Sequence, residues 1–174
     1  MKKIYYLMLA MLMAMTTLSL TACGDDEEDG PSGGGNDIVG TWKANLPSDL
    51  LYEVFDEEEI EYVDKAEVLI QFKNNETYVT ASVVTYNKVF AELMKDNPYF
   101  TNPMVDIDRG TYRINGKKLI TRSEYDDDGE EEVADFSISG KTMTFSYSDD
   151  GVKYSMKFSK VSDKEIEKYL DRIK

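Results

Sequence analysis

Between residues 109 and 161 the chain alternates apolar and polar residues with a period of two, interrupted only by short turn sequences. A chain patterned this way builds antiparallel sheet. Tyr112 and Ile114 precede Asn115-Gly116, the strongest two-residue hairpin signal, because both turn positions favour positive φ. Ala134, Phe136 and Ile138 lead into Ser139-Gly140, and Met143, Phe145 and Tyr147 into Asp149-Asp150-Gly151. In the last run Val152, Tyr154, Met156 and Phe158 oppose Lys153, Ser155, Lys157 and Ser159. Each run has one apolar face, so the sheet covers a single core. The same reading carried upstream to Ile38 gives strands at 38–45, 66–74, 77–86, 109–114, 117–125, 131–138, 142–148 and 152–161.

Helical spacing interrupts this pattern in three places. Residues 48–63 hold two short pieces, Leu50-Leu51-Val54-Phe55 and Ile60-Val63, the second opened by an Asp56…Glu59 capping box. Residues 87–96 carry Val89, Phe90, Leu93 and Met94 at helical spacing. A helix over 163–173 opens on a second capping box, Ser162-Asp163-Lys164-Glu165, and presents Ile166, Leu170 and Ile173 as one stripe, which should lie along the outside of the sheet.

Eight successive antiparallel strands predict an all-β up-and-down barrel, a closure that removes exposed sheet edges. The connections near Asn74-Asn75, Asn115-Gly116 and Ser139-Gly140 are tight and fall at one end. The two long helical connections fall at the other end, with Asp126-Asp127-Asp128-Gly129 and Asp149-Asp150-Gly151. One end is therefore expected closed, and the other open but lidded.

The N-terminal segment has a different logic. Lys2 and Lys3 precede an apolar run from Ile4 to Met15. That run is shorter than the roughly 20 apolar residues a membrane-spanning helix needs, and residues 1–22 fit a signal peptide. The segment ends Leu20-Thr21-Ala22-Cys23-Gly24, which resembles the lipobox of bacterial lipoproteins. The resemblance implies that Cys23, the single cysteine, takes a lipid and anchors the chain to a membrane. Residues 23–36 are acidic, then glycine-rich, with no apolar residue beyond the cysteine able to pack, and read as a disordered tether. The acidic cluster after Cys23 resembles the export tag of surface lipoproteins in some Gram-negative lineages, which implies an outer-membrane, surface-exposed domain over residues 37–174; a solvated spacer facing the periplasm is the alternative.

Charge and composition then exclude whole classes of function. The formal charge is −14, and removing Lys2 and Lys3 with the signal peptide takes it to −16. Such a surface repels nucleic acid and anionic headgroups. The sequence has no histidine, so histidine-activated nucleophiles, histidine bases and histidine-ligated metals are out. With Cys23 acylated, no disulfide can form. No phosphate loop or dinucleotide fingerprint occurs, no cofactor is implied, and carboxylates are too abundant for any pair to stand out as a catalytic dyad. The expectation is a protein that is not an enzyme.

Gly40-Thr41-Trp42 opens the first strand just behind the tether, as the G-x-W motif does in lipocalins. With the eight strands, the alternating loop lengths and the C-terminal helix, residues 37–174 resemble the small bacterial lipocalin-like lipoproteins. In this resemblance Gly40 and Trp42 are structural, with the tryptophan plugging the barrel floor. No arginine in the last strand is available to stack on it, which leaves Lys157, Lys160 or Arg172. The family implies a ligand-binding calyx. The candidate pocket is the mouth-side part of the inward stripe, Val68, Val83, Tyr112, Phe136, Phe145, Tyr147 and Tyr154, with Leu51, Phe55, Phe90 and Met94 as lid residues. Eight strands enclose either a side-chain-filled core or one small ligand, so the alternative is an accessory lipoprotein with a solid barrel. The acidic rim favours a neutral or cationic ligand with an apolar body. Glu124, Asp126, Asp128, Gly129 and Asp135 fall at calcium-loop spacing, but a glutamate at the first position and flanking strands make a solvated hairpin tip the better reading.

Overall fold

The computed structural model describes residues 37–47, 50–52, 55–125, 130–149 and 152–171; the side chains of residues 147–149, 152 and 153 are not among those described. Eight strands run in chain order: β1 (Gly40–Asn45), β2 (Val63–Phe72), β3 (Thr77–Tyr86), β4 (Met104–Asn115), β5 (Lys118–Ser123), β6 (Glu132–Ser139), β7 (Thr142–Asp149) and β8 (Val152–Val161). Three helices are bounded among the described residues: α1 (Glu57–Ile60), α2 (Lys88–Leu93) and α3 (Lys164–Leu170). Each strand pairs antiparallel with its sequence neighbours, and β1 closes on β8, so the sheet is a barrel in the order β1 to β8. The expected all-β up-and-down barrel is the observed fold. The signal-peptide, Cys23 and tether readings lie outside the described residues.

The tight turns are built by glycines placed one residue later than the turn sequences suggest. Asn115 still pairs with Lys118 and Ser139 with Thr142, so the two-residue loops are Gly116-Lys117 and Gly140-Lys141. Gly116 and Gly140 have φ of 60° and 58°, and the lysines that follow do not share the positive φ. That is the type II′ arrangement, glycine first, rather than one in which both residues are left-handed.

Strand register sorts every side chain to the lumen or the outer wall. The even residues of β1, of the regular part of β2, and of β3, β4, β6 and β8 share the inner face with the odd residues of β5 and β7. The inner cluster holds Trp42, Phe72, Tyr78, Tyr112, Leu119, Met143 and Phe158 toward the end with the tight turns, and Ala66, Val68, Val84 and Phe136 above them. A second cluster lies outside the barrel, where Ile166 and Tyr169 of α3 cover Leu69, Val79, Ala81 and Val83. The C-terminal stripe thus packs on the outer wall as its spacing implied, although Ile173 lies outside the described residues.

Because of that outer cluster, β4 begins at Met104 and not at residue 109 as its alternation implies. Its apolar residues change face along the strand: Val105 and Ile107 point outward under α3, whereas Tyr112 and Ile114 point into the floor. A search for one alternating stripe therefore starts the strand at residue 109, five residues late.

Candidate functional site

The G-T-W sequence divides its three residues between three tasks. Gly40 has φ +120°, and a Cβ there would sit 3.0 Å from the Lys160 side chain. Thr41 points outward, fully buried, and donates to the Asp163 carboxylate at 2.6 Å where α3 begins. Asp163, and not Ser162 as the capping box implied, is the N-cap of the helix, and it makes no side-chain cap bond. Trp42 points inward, is 0 % exposed and donates its indole N–H to the Ile38 carbonyl at 2.6 Å. Of the three cations expected as candidates to cover it, Lys160 does so, 5.1 Å from the ring centroid. Trp42, Phe72, Met143 and Phe158 fill the floor.

The long connections lie over the opposite end. Leu50 and Phe55 are buried in the same cluster as the barrel interior, and Leu51 packs against it. The Asp56…Glu59 capping box forms at the start of α1. Phe90 of α2 joins a different assembly from the one expected: it stacks on Tyr86 at 4.6 Å and meets Tyr62 and Phe100 at 5.3 and 5.6 Å. Asn87 caps α2 through the Phe90 N–H and also donates to the Glu61 carbonyl, which ties the second lid to the first.

The proposed pocket residues fall into three groups. Val68 and Phe136 belong to the inner cluster, and Phe145 and Tyr154 pack against it. Val83 does not line the lumen: it lies on the outer wall with Ile166 and Tyr169, because both faces of β3 are buried and its hydrophobicity carries no sign of which face is inside. Tyr112 points inward but belongs to the closed end, where its hydroxyl donates to the Lys73 carbonyl in the β2–β3 turn and its ring meets Phe72 edge-on at 4.9 Å. The side chain of Tyr147 lies outside the described residues, as do residues 126–129 of the calcium-spaced loop. Asp135, the last residue of that loop, instead pairs with Lys118 at 2.8 Å on the outer wall.

The most distinctive lumen residues are polar, and of these the sequence reading names only Asp106, as part of the acidic rim at the open end. The inner face of β3, β4, β5 and β6 carries Thr80, Ser82, Asp106, Asp108, Thr121, Ser123 and Glu132. Asp108 accepts from the Tyr78 hydroxyl at 2.9 Å and from Ser123 at 2.6 Å. Burial, then the Asp108 charge, push the Tyr78 hydroxyl far above the usual phenol range, so it stays a donor. Thr121 donates to Glu132 at 3.4 Å. Asp106 is half-buried, and burial raises its carboxyl above the usual range, reinforced by Asp108 and opposed by the Ile107 backbone bond. Thr80 and Ser82 are 5 % and 3 % exposed, and their hydroxyls have no hydrogen-bond partner. Among the described strand residues, the one basic side chain of inner register is Lys160, at the floor.

This acidic patch was hidden by the inverted alternation of Met104-Val105-Asp106-Ile107-Asp108, whose apolar residues face α3. The usable signal was the pair of aspartates at alternate positions just before a strand already recognised.

The structure is similar to the crystal structure of secretory abundant heat soluble protein 4 from Ramazzottius varieornatus, at 12 % identity over 73 % of this chain and 96 % of that one, with a TM-score of 0.39. It is likewise similar to that of a variant of the fluorescent protein UnaG, at 13 % identity over 72 % of this chain and 97 % of that one, with a TM-score of 0.35. No protein-family model matches the sequence, and no curated protein matches it either.

Proposed function

We propose that the chain is an exported lipoprotein of the lipocalin-like kind, anchored through Cys23 at the bacterial outer membrane and exposed on its surface, whose barrel takes up a small neutral or cationic ligand with an apolar body. One observation carries the binding reading. Asp106, Asp108, Ser123, Phe145 and Tyr154 are of inner register in a closed barrel yet are only partly buried. An inward side chain of a closed barrel keeps contact with solvent when the lumen is reachable. The reachable part has an apolar wall at Phe145 and Tyr154 and an acidic wall at Asp106 and Asp108. The reading gives the protein no catalytic role.

The alternative, an accessory lipoprotein with a solid barrel, draws on the packed floor of Trp42, Phe72, Met143 and Phe158. Ala134 separates the two. It is of inner register on β6 and only partly buried, so Ala134→Trp should fill the lumen. The chain should bind the neutral fluorescent probe N-phenyl-1-naphthylamine, and Ala134→Trp should lose that binding while keeping its unfolding midpoint. A probe that ignores the wild-type chain, or binds both alike, sinks the ligand reading. The anchor is tested separately: Cys23→Ser should abolish incorporation of labelled palmitate, because no other thiol exists. Continued labelling would remove the lipoprotein assignment.

A further inference from the structure

We propose that the β3–β4 wall of the lumen holds the protonated amine of an amphiphilic ligand, with the ammonium set between the Asp106 and Asp108 carboxylates and the Thr80 and Ser82 hydroxyls. The inference rests on the ligand-binding reading above and narrows it to one chemical class. Register places Thr80 opposite Asp108 and Ser82 opposite Asp106. Directly opposed residues of an antiparallel pair share a face, with Cβ atoms about 5 Å apart, so the four groups form a compact two-by-two patch of oxygens.

The patch is incomplete within the protein itself. Thr80 and Ser82 are more than nine-tenths buried, point into the lumen and have no hydrogen-bond partner. Buried hydroxyls are paired in nearly all proteins, because an unmade bond carries the full desolvation cost. Asp108 is already fixed by Tyr78 and Ser123 on its two oxygens, leaving further lone pairs for a donor. The charge of the wall has no counter-ion of inner register among the described residues except Lys160, which lies over Trp42 at the floor. A ligand that supplies both donors and positive charge can bond the two hydroxyls and one carboxylate while balancing the charge of the pair. An ammonium has three donors and no acceptor, the complement of such a patch.

A divalent metal fits less well. Two carboxylates and two hydroxyls fall short of the roughly six oxygens that a hard divalent cation gathers. Among the described residues, no group of three acidic or cysteine side chains converges as a metal site. The apolar part of the ligand would lie across the lumen, against Phe145 of β7 and Tyr154 of β8.

Octylamine, 1-octanol and octanoate share a tail and differ in the charge of the head. Titrated calorimetrically into the full chain at neutral pH, octylamine should bind about tenfold tighter than 1-octanol, the margin of a charge-assisted over a neutral hydrogen bond, and octanoate weakest. Asp106→Asn should remove most of that preference while leaving 1-octanol within about twofold of wild type, and Ser82→Ala should weaken octylamine by a smaller factor. Octylamine should also lower the titration midpoint of the Asp106 carboxyl followed by carbon NMR. Equal binding of amine and alcohol, or Asp106→Asn weakening both alike, would overturn the amine site while leaving the lumen a binding site. Failure of all three probes would overturn both.

Discussion

The Lys160 ammonium sits 5.1 Å from the centroid of the Trp42 ring, and the two residues face each other across the β1–β8 seam that closes the barrel. Closure of a sheet needs its first and last strands to find each other over the whole chain length, and this pair marks that junction. The long methylene stem of Lys160 also covers the glycine next to the tryptophan, since a Cβ at position 40 would meet its Cε at 3.0 Å.

Two different costs follow from this contact. Trp42→Ala removes a fully buried indole, and should lower stability by about 3–5 kcal/mol in chemical denaturation. Lys160→Met keeps the apolar stem and removes only the charge, so it should cost about 0.5–1 kcal/mol. If both variants cost the same, the cation rather than the ring's volume holds the seam.

Gly110 predicts a sharper loss for a single methyl group. It is of inner register on β4, and a Cβ there would lie 2.0 Å from the Arg122 carbonyl oxygen and 2.8 Å from the Tyr78 ring. The tyrosine could turn aside, but the carbonyl belongs to the paired strand and cannot. Gly110→Ala should therefore cost about 3 kcal/mol or more, at the upper end of overpacking effects. Adding Tyr78→Ala should not restore the loss. Rescue by the double variant would show that the ring, not the backbone, sets the limit.

What could be read from the sequence depended on how many faces of a strand are buried. In β7 and β8 only the inner face is covered, the period of two is clean, and residues 152–161 are bounded in the structure as the pattern indicated. In β3 and the first half of β4, α3 covers the outer face as well. There Val79, Ala81 and Val83 are buried, and Val105 and Ile107 partly so, for reasons unrelated to the lumen. Hydrophobicity then reports burial without direction: it points Val83 inward with the lumen residues, and it gives no sign that Asp106 and Asp108, flanking Ile107, face the lumen. The acidic rim read from the loops includes Asp106, but that residue lies on β4 and not in a loop, and Asp108 and Glu132 of the inner face are likewise on strands. Trp42 was legible because its motif sits at a fixed distance from the start of the domain, whereas its cation partner could be narrowed only to three residues until pairing of β1 with β8 selected Lys160.

The last prediction concerns acid stability. Glu67 points to the outer wall of β2, is only 5 % exposed, and lies 2.6 Å from Lys43 and 2.8 Å from Lys65. Lys43 also reaches Glu165 of α3 at 3.6 Å, so the group links β1, β2 and the C-terminal helix. Burial alone would push the Glu67 carboxyl up, but the two ammonium groups outweigh it and hold it below its ordinary value of 4.5. A carboxyl with a lowered folded-state pKa binds its proton more readily in the unfolded chain. Its contribution to stability is therefore present above about pH 4.5 and is lost as pH falls through the lower, folded-state value. Glu67→Gln should destabilise the protein at pH 7 by about 1–3 kcal/mol, between the exposed and fully buried limits for losing one partner of an ion pair. The gap between variant and wild type should narrow steadily as denaturation is repeated from pH 5 down to pH 3. Half-exposed Lys65 can turn to solvent, so Lys65→Met should cost less than Glu67→Gln at neutral pH. A gap between Glu67→Gln and wild type that stays constant across the acid range would mean that the glutamate contributes through its packing and not through its charge.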